Sequence, residues 1–275
     1  MRRRLLLLLA LFCLLPLFGC RAAPDELRIH VLDVGQGDAI LLRLPEGDVL
    51  IDAGPEAGEQ TLCTRLDELG VDSLELLFLT HPDEDHIGGA DALLSRIPVG
   101  AIYLGGRPEG TDSYRALDEA ARAAGITPIF PVAGDLITLG RLSIRVLLPE
   151  AEGLREGNAG SLVLKLLYGE FEALFTGDAG VEEESRLIAL YGAEQLSSTL
   201  LKVGHHGSRT STGEELVRAV QPEIAVISAG DENAYGHPMG VVVSRLEEAG
   251  AEVLRTDREG EIVLVSDGRS VERLH

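Results

Sequence analysis

The sequence predicts an α/β fold in which two sheets pack face to face with helices outside. Three observations carry this. Short β-type runs alternate with helical patterns along the chain; the alternation falls into two halves, each reaching a polar turn rich in histidine; and no low-complexity linker separates the halves. The 275 residues therefore predict one large domain, with a site at the ends of strands from both halves.

Residues 27–34, 39–44 and 49–51 are β-type runs separated by Gly-containing turns. Residues 62–69 show helical spacing and stop at Gly70. The apolar run 74–79 has strand length, and 90–96 predicts a helix, 99–104 a strand and 113–124 an Ala-rich helix ended by Gly125. Residues 136–139 and 142–148 predict a hairpin, followed by a loop over 149–160 rich in Glu and Gly. The second half follows the same logic. Strands 161–168 and 171–176 pair across Gly169-Glu170, 181–191 is helical, and strand 199–203 runs into the second His-rich turn. Helix 213–220, strand 224–228, helix 241–249 and closing strands 252–254, 261–265 and 270–274 complete the chain.

Strand 74–79 delivers Thr80-His81-Pro82-Asp83-Glu84-Asp85-His86-Ile87-Gly88-Gly89. Two imidazoles and two usable carboxylates within six residues, directly after a buried-type strand, predict a metal site. The spacing differs from the i, i+4 pattern of helical ligands and suits a tight loop, with Glu84 facing outward and Gly88-Gly89 letting the backbone turn into the next helix. Thr176-Gly177-Asp178 places another carboxylate at a strand end, and Lys202-Val203-Gly204-His205-His206-Gly207-Ser208 places two more imidazoles. Three strand ends then converge on one pocket. Asp52, before Gly54, is predicted to orient the His81 loop from behind. Asp33, Gln36 and Asp38 either line the mouth or serve turns. His237 either meets substrate from its loop or is exposed, and Lys202 either neutralises substrate charge or is a surface lysine.

Hydrophobic residues at 45% support a sizeable core, while aromatics at 4% and the absence of Trp advertise no stacking platform for single-stranded nucleic acid. The net charge of −21 repels phosphate polymers, an effect that metal ions reverse locally. Met1-Arg2-Arg3-Arg4 and the apolar run 5–18 have the form of a secretory signal too short to span a membrane comfortably. Leu17-Phe18-Gly19-Cys20 resembles a bacterial lipobox, with Phe18 bulkier than the usual occupant of its place. The expected organisation is a lipoprotein signal peptide over 1–20 with lipidation at Cys20, a tether over 21–26 and a single folded domain over 27–275, anchored outside the cytoplasm. Removal of Cys13 and acylation of Cys20 leave Cys63 as a small buried hydrophobe.

Across 27–264 the chain resembles the metallo-β-lactamase fold, and within it the extracytoplasmic hydrolase domain of ComEC-type DNA-uptake proteins. The matching pieces, in order, are Leu32-Asp33-Val34-Gly35-Gln36-Gly37-Asp38-Ala39, Ile51-Asp52-Ala53-Gly54, the His81 loop, 158–164, Thr176-Gly177-Asp178, the His205 turn and Tyr235-Gly236-His237-Pro238. The resemblance implies an αββα four-layer sandwich and two divalent cations, Zn or Mn. One cation would take His81 and Asp83 and the other Asp85 and His86, with Asp178 bridging. Asp83 stands where the family's general signature has a second His, which biases the first site toward manganese. Asn158 stands near the place of a further family His. Of His205 and His206, one would ligate the second cation, His206 being favoured, and the other would face substrate. Asp85 would also orient the attacking hydroxide.

The implied activity is hydrolysis of a phosphoester, including DNA, with Asp85, His205 and His237 meeting the chemistry. A phosphocholine-type esterase of the cell envelope is the enzymatic alternative, and a non-catalytic accessory lipoprotein of DNA uptake is the alternative of another class. No obligate protein partner is expected beyond the membrane anchor.

Overall fold

The computed structural model describes residues 25–107, 110–151, 155–231 and 233–274. The expected signal peptide, Cys20 and the tether up to residue 24 lie outside the described residues.

Strands β1 (Leu27–Val31), β2 (Ile40–Leu44) and β3 (Gly47–Ile51) lead into α1 (Glu59–Leu69), β4 (Leu74–Leu79), α2 (Glu84–Ile87), α3 (Ala90–Arg96), β5 (Val99–Leu104) and α4 (Asp112–Ala123). Two hairpins, β6 (Leu136–Leu139) with β7 (Leu142–Leu148) and β8 (Val163–Tyr168) with β9 (Phe171–Phe175), precede α5 (Val181–Leu196) and β10 (Leu200–Lys202). Then come α6 (Glu214–Val220), β11 (Ile224–Ile227), α7 (Gly240–Glu248), β12 (Glu252–Arg255), α8 (Thr256–Glu259) and the hairpin β13 (Ile262–Ser266) with β14 (Val271–Leu274).

The first sheet runs β14-β13-β1-β2-β3-β4-β5 and the second β12-β11-β10-β9-β8-β7-β6. Alternation within strands builds both faces. Ile40 and Leu42 of β2 join Ile144, Leu164 and Phe175 of the second sheet in the central core. Leu41 points the other way, to a core with Leu62 of α1, Leu93 of α3 and Leu117 of α4. Leu174 and Leu201 likewise meet Leu187, Leu216 and Leu246 of the second helical layer. The result is the four-layer αββα sandwich. Cys63 is a free, buried cysteine in the first helical layer, 3% exposed.

The second half does not simply repeat the first, because the closing hairpin crosses to the N-terminal sheet. There β13 pairs antiparallel with β1, Val31 opposite Ile262. Strands β3, β4 and β5 are parallel, as are β9 through β12, so the ends of β4, β9 and β10 open toward a common edge.

Two local expectations change. The metal motif is not a loop throughout. Asp83 ends its extended part, and the amides of His86 and Ile87 both donate to the Asp83 carbonyl at 3.0 Å, so Asp85 and His86 ride on the short turn α2. Four residues carry too little periodicity for this turn to be legible. Gly88, moreover, is not needed for turning, since its backbone is ordinary right-handed helical. Close approach is what requires it: a Cβ there would lie 2.2 Å from the Glu56 amide nitrogen.

Candidate metal centre

The site is assembled from three strand ends, each held by groups behind it. At the end of β3, Asp52 adopts a left-handed backbone, with φ of 60°. Its carboxylate accepts from the Thr80 amide at 2.7 Å and the Thr80 hydroxyl at 2.9 Å, joining the ends of β3 and β4. The same carboxylate lies 2.8 Å from His86 Nδ1, which assigns the ring proton to Nδ1 and leaves Nε2 free to face the site. Glu84 faces outward, its carboxylate accepting from the Glu56 amide at 2.8 Å. Beyond β9, the Asp178 amide donates to Ser161 Oγ at 3.1 Å, fixing that carboxylate over the β8–β9 edge.

Beyond β10 the chain takes a costly path. His205 and His206 are both left-handed, with φ of 48° and 53°, a strain of roughly 1–3 kcal/mol each. The turn is clamped by the Gly204 amide donating to Thr212 Oγ1 at 3.0 Å and by Ser211 Oγ donating to the Gly204 carbonyl at 2.7 Å. Glu184 of α5 in turn accepts from the amides of Thr212 and Gly213. His206 Nδ1 donates to the Ser228 carbonyl at 3.0 Å, leaving its Nε2 aimed at the cluster.

Asp178 divides the histidines. Its Oδ1 lies 3.2 Å from His86 Nε2 and 3.9 Å from His206 Nε2. Its Oδ2 lies 3.6 Å from His205 Nε2 and 4.0 Å from His81 Nε2. Asp85 Oδ2 is 3.1 Å from His206 Nε2, and Asp83 Oδ2 is 3.4 Å from His81 Nε2. Among the described residues three groups of donor atoms lie close enough to hold a cation: His81, His86 and Asp178; Asp85, His86 and His206; and, behind them, Asp38, Asp52 and His86. The first crosses the pairing that the resemblance implies, because His86 belongs to all three groups.

Among the described residues, His81 Nε2, His86 Nε2 and Asp178 Oδ1 are buried with no hydrogen-bond partner. Three such orphans around one point would be costly without an ion between them. The donor set of imidazole and carboxylate fits divalent transition metals.

The charges agree. Burial alone would raise Asp178, but His86 and then His206 hold its carboxyl well below the usual range. Burial would lower His86, yet Asp178 and then Asp52 push it well above the usual imidazole value. His206 is raised to about 9, burial being outweighed by Asp38 and Asp178. This is a cluster of carboxylates that demands positive charge, and a cation that binds displaces the imidazole protons. His205 and His237 are instead lowered, burial being the first cause in each.

The remaining predicted residues separate by position. Asn158 lies at the mouth, its amide nitrogen 3.2 Å from His205 Nδ1. His237 lines the same cavity of about 290 Å³, with its ring edge-on to His205 at 5.6 Å. Gln36 also lines it, and its Oε1 accepts from the Gly230 amide at 3.1 Å. Asp33 is exposed and caps its own turn, accepting from the Gly35 amide at 3.3 Å. Lys202 neither lies on the surface nor faces substrate: it is 1% exposed, with Nζ 2.8 Å from Asp38 Oδ2, and Asp38 Oδ1 lies 3.4 Å from His206 Nδ1. Asp38 and Lys202 therefore stand behind His206. Sequence reasoning missed Thr80 and Ser228 as supports. Thr80 directly precedes His81, so adjacency was a usable signal, whereas Ser228 acts through its carbonyl and has none.

Residues 32–231 match the Metallo-beta-lactamase superfamily. The chain is 35% identical over 270 residues to ComE operon protein 3 of Bacillus subtilis (strain 168), covering 90% of this chain and 34% of that protein. It is 35% identical over 242 residues to Competence protein ComA of Neisseria gonorrhoeae, covering 87% and 32%. The chain thus spans about a third of the length of these relatives. Among solved structures, the metallo-beta-lactamase fold protein YhfI from Bacillus subtilis superposes with a TM-score of 0.58 at 14% identity, covering 88% of this chain and 100% of that one. At that identity the likeness concerns the fold alone.

Proposed function

The chain belongs to the metallo-β-lactamase superfamily of metal-dependent hydrolases, and from that premise we propose that it hydrolyses phosphoester bonds as a ComEC-like nuclease or phosphodiesterase, using two divalent cations, zinc or manganese. One observation carries the reading: the two oxygens of buried Asp178 face different histidines, His86 and His206 on one side, His81 and His205 on the other. A carboxylate so divided is what a two-cation hydrolytic site needs at its centre. His81, Asp83 and Asp178 would hold one cation, and Asp85, His86, His206 and Asp178 the other. Bound there, the cations supply a nucleophile from water near neutral pH and polarise the oxygen under attack.

The chain's own groups do the rest. Asp52 fixes the ring proton of His86 on Nδ1 and aims Nε2 inward, as the atom a cation would take. Ser228, with the Asp38–Lys202 pair behind it, aims Nε2 of His206 in the same way. Asp85 orients the attacking oxygen by accepting its proton in a hydrogen bond. With the Asn158 amide donating to Nδ1, His205 carries its proton on Nε2, as a donor toward a phosphoryl oxygen or the leaving group. His237 contacts the phosphate at the mouth.

The competence proteins to which the chain is similar support DNA as the substrate class, and the same reading puts the domain outside the cytoplasm on a lipid anchor at Cys20. The test is to measure bound metal in the purified protein and to assay single-stranded DNA, duplex DNA and a small phosphodiester with Mn²⁺ or Zn²⁺, beside Asp85→Ala. Hydrolysis that falls by at least a hundredfold in the variant is expected. Absence of metal-dependent hydrolysis in the wild type, or equal rates in the two proteins, refutes the assignment.

A further inference from the structure

The cavity over the cluster is not the end of the cleft. Gln36, Asp83, Asp85 and Tyr235 line it and also line a second cavity of about 610 Å³, which continues between the Val34–Gln36 turn, Pro55, Pro82 and Ser113. Tyr235 stands where the two meet, 66% exposed. Its ring is stacked on His237, with centroids 5.7 Å apart and planes 23° from parallel, and His237 abuts His205. An aromatic path therefore leads from the cluster to the groove.

The turn that carries Tyr235 is tied by Asn233. Asn233 donates through Nδ2 to the Gly230 carbonyl at 2.8 Å and to the His237 carbonyl at 2.5 Å, and its Oδ1 accepts from the His237 amide at 3.0 Å. These bonds close the turn that carries Tyr235.

The described residues lining both cavities include no lysine and no arginine, and the charged side chains of the larger one are Asp83, Glu84 and Asp85. Apart from the metal centre, the described lining residues offer a phosphate chain no lysine or arginine as countercharge, and the chain's net charge of −21 opposes a polyanion. A phosphodiester held here gains nothing from these carboxylates, so a neutral contact has to supply its affinity. A flat ring on the open face of Tyr235 supplies that, since stacking on an aromatic side chain is indifferent to net charge. A quaternary ammonium is less suited, because such groups are caged by several rings and Tyr235 is the one Phe, Tyr or Trp among the described residues lining these cavities. Overall composition did not reveal this platform, because composition counts rings without placing them.

Resting on the phosphoesterase reading, we infer that Tyr235 is a specificity-determining residue on which the base next to the scissile phosphate stacks, the larger cavity receiving that nucleoside. The substrate class is single-stranded nucleic acid, since a base paired and stacked within a duplex cannot enter the groove.

The experiment compares a short oligothymidylate with an abasic oligomer of the same length, which keeps the phosphates and lacks the bases, using wild type, Tyr235→Phe and Tyr235→Ala with Mn²⁺; p-nitrophenylphosphorylcholine is a third substrate. Wild type and Tyr235→Phe are expected to prefer oligothymidylate by about tenfold in kcat/KM, mostly through KM, and Tyr235→Ala to show a ratio near one. Equal use of the two oligomers by wild type, or a preference that survives in Tyr235→Ala, overturns the inference while the phosphoesterase reading stands. Faster turnover of the choline ester than of either oligomer also overturns it, in favour of a cationic substrate. Hydrolysis of none of the three defeats the phosphoesterase reading, and this inference with it.

Discussion

Lys202→Met tests the support behind His206. The Lys202 ammonium lies 2.8 Å from Asp38 Oδ2, with the two side chains 1% and 2% exposed. Its other bond goes to the Val203 carbonyl at 3.0 Å. Burial would raise the Asp38 carboxyl, but Lys202 and then His206 hold it well below the ordinary carboxylate range. Methionine keeps most of the side-chain volume and removes the charge. Asp38 Oδ2 then has no cation beside it. Oδ1 keeps His206 Nδ1 at 3.4 Å, a long contact whose proton also goes to Ser228 at 3.0 Å. Breaking a buried pair by removing one partner costs about 3–5 kcal/mol. For a domain of this size that is a fall in Tm of roughly 6–20 °C. Urea unfolding followed by circular dichroism in EDTA measures it free of metal linkage. The double variant Asp38→Asn with Lys202→Met removes both charges and is expected within about 1 kcal/mol of wild type, because a buried pair and a neutral replacement are often equivalent. A loss below about 1 kcal/mol for Lys202→Met, or a double variant as unstable as the single one, refutes the reasoning.

Two further outcomes follow from the supports of the site. Asp52→Asn preserves side-chain shape and tolerates the left-handed backbone, but it removes the charge that sets the His86 ring; metal affinity measured against a chromogenic chelator should fall by about 10- to 100-fold, and unchanged affinity would show that His86 needs no such partner. Glu184, buried beneath the Thr212–Gly213 turn, is raised to about 7, burial outweighing the two amide bonds. The native state then holds a proton that the unfolded chain releases near 4.5, so stability falls as pH rises from about 4.5 to about 7, by at most roughly 3 kcal/mol. Urea titrations in EDTA at pH 5 and pH 8 should show this component in wild type and not in Glu184→Gln; an identical pH dependence in the two proteins would remove Glu184 as its source.

What was legible in the sequence was whatever short-range pattern encodes. The strand 74–79 and helix 90–96 matched to the residue because the apolar run lies between Ser73 and Thr80 and the helical stripe between Gly89 and Ile97-Pro98, where proline disfavours helix in the residue before it. The short turns α2 and α8 were invisible, since four residues carry too little periodicity. The crossing of β13 and β14 to the first sheet was equally hidden, because strand pairing depends on partners far away in the chain.

The sequence by itself determined the class, two packed sheets between helices, through the alternation of elements, and it pointed to a metal-binding centre through the imidazole and carboxylate side chains placed directly after strand ends. The His81 motif, Asp178 and the His205 turn were all nameable before any coordinates. Only the tertiary structure decided how those residues act on one another. It made Asp52 and Ser228 the partners that aim His86 and His206, turned Lys202 from a candidate for substrate into the buried countercharge of Asp38, and set Tyr235 at the junction of two cavities. The physical reason is the same in each case. Residue type fixes which bonds a group can make, whereas burial and distance, which decide the bonds it does make, exist only after the two sheets have closed.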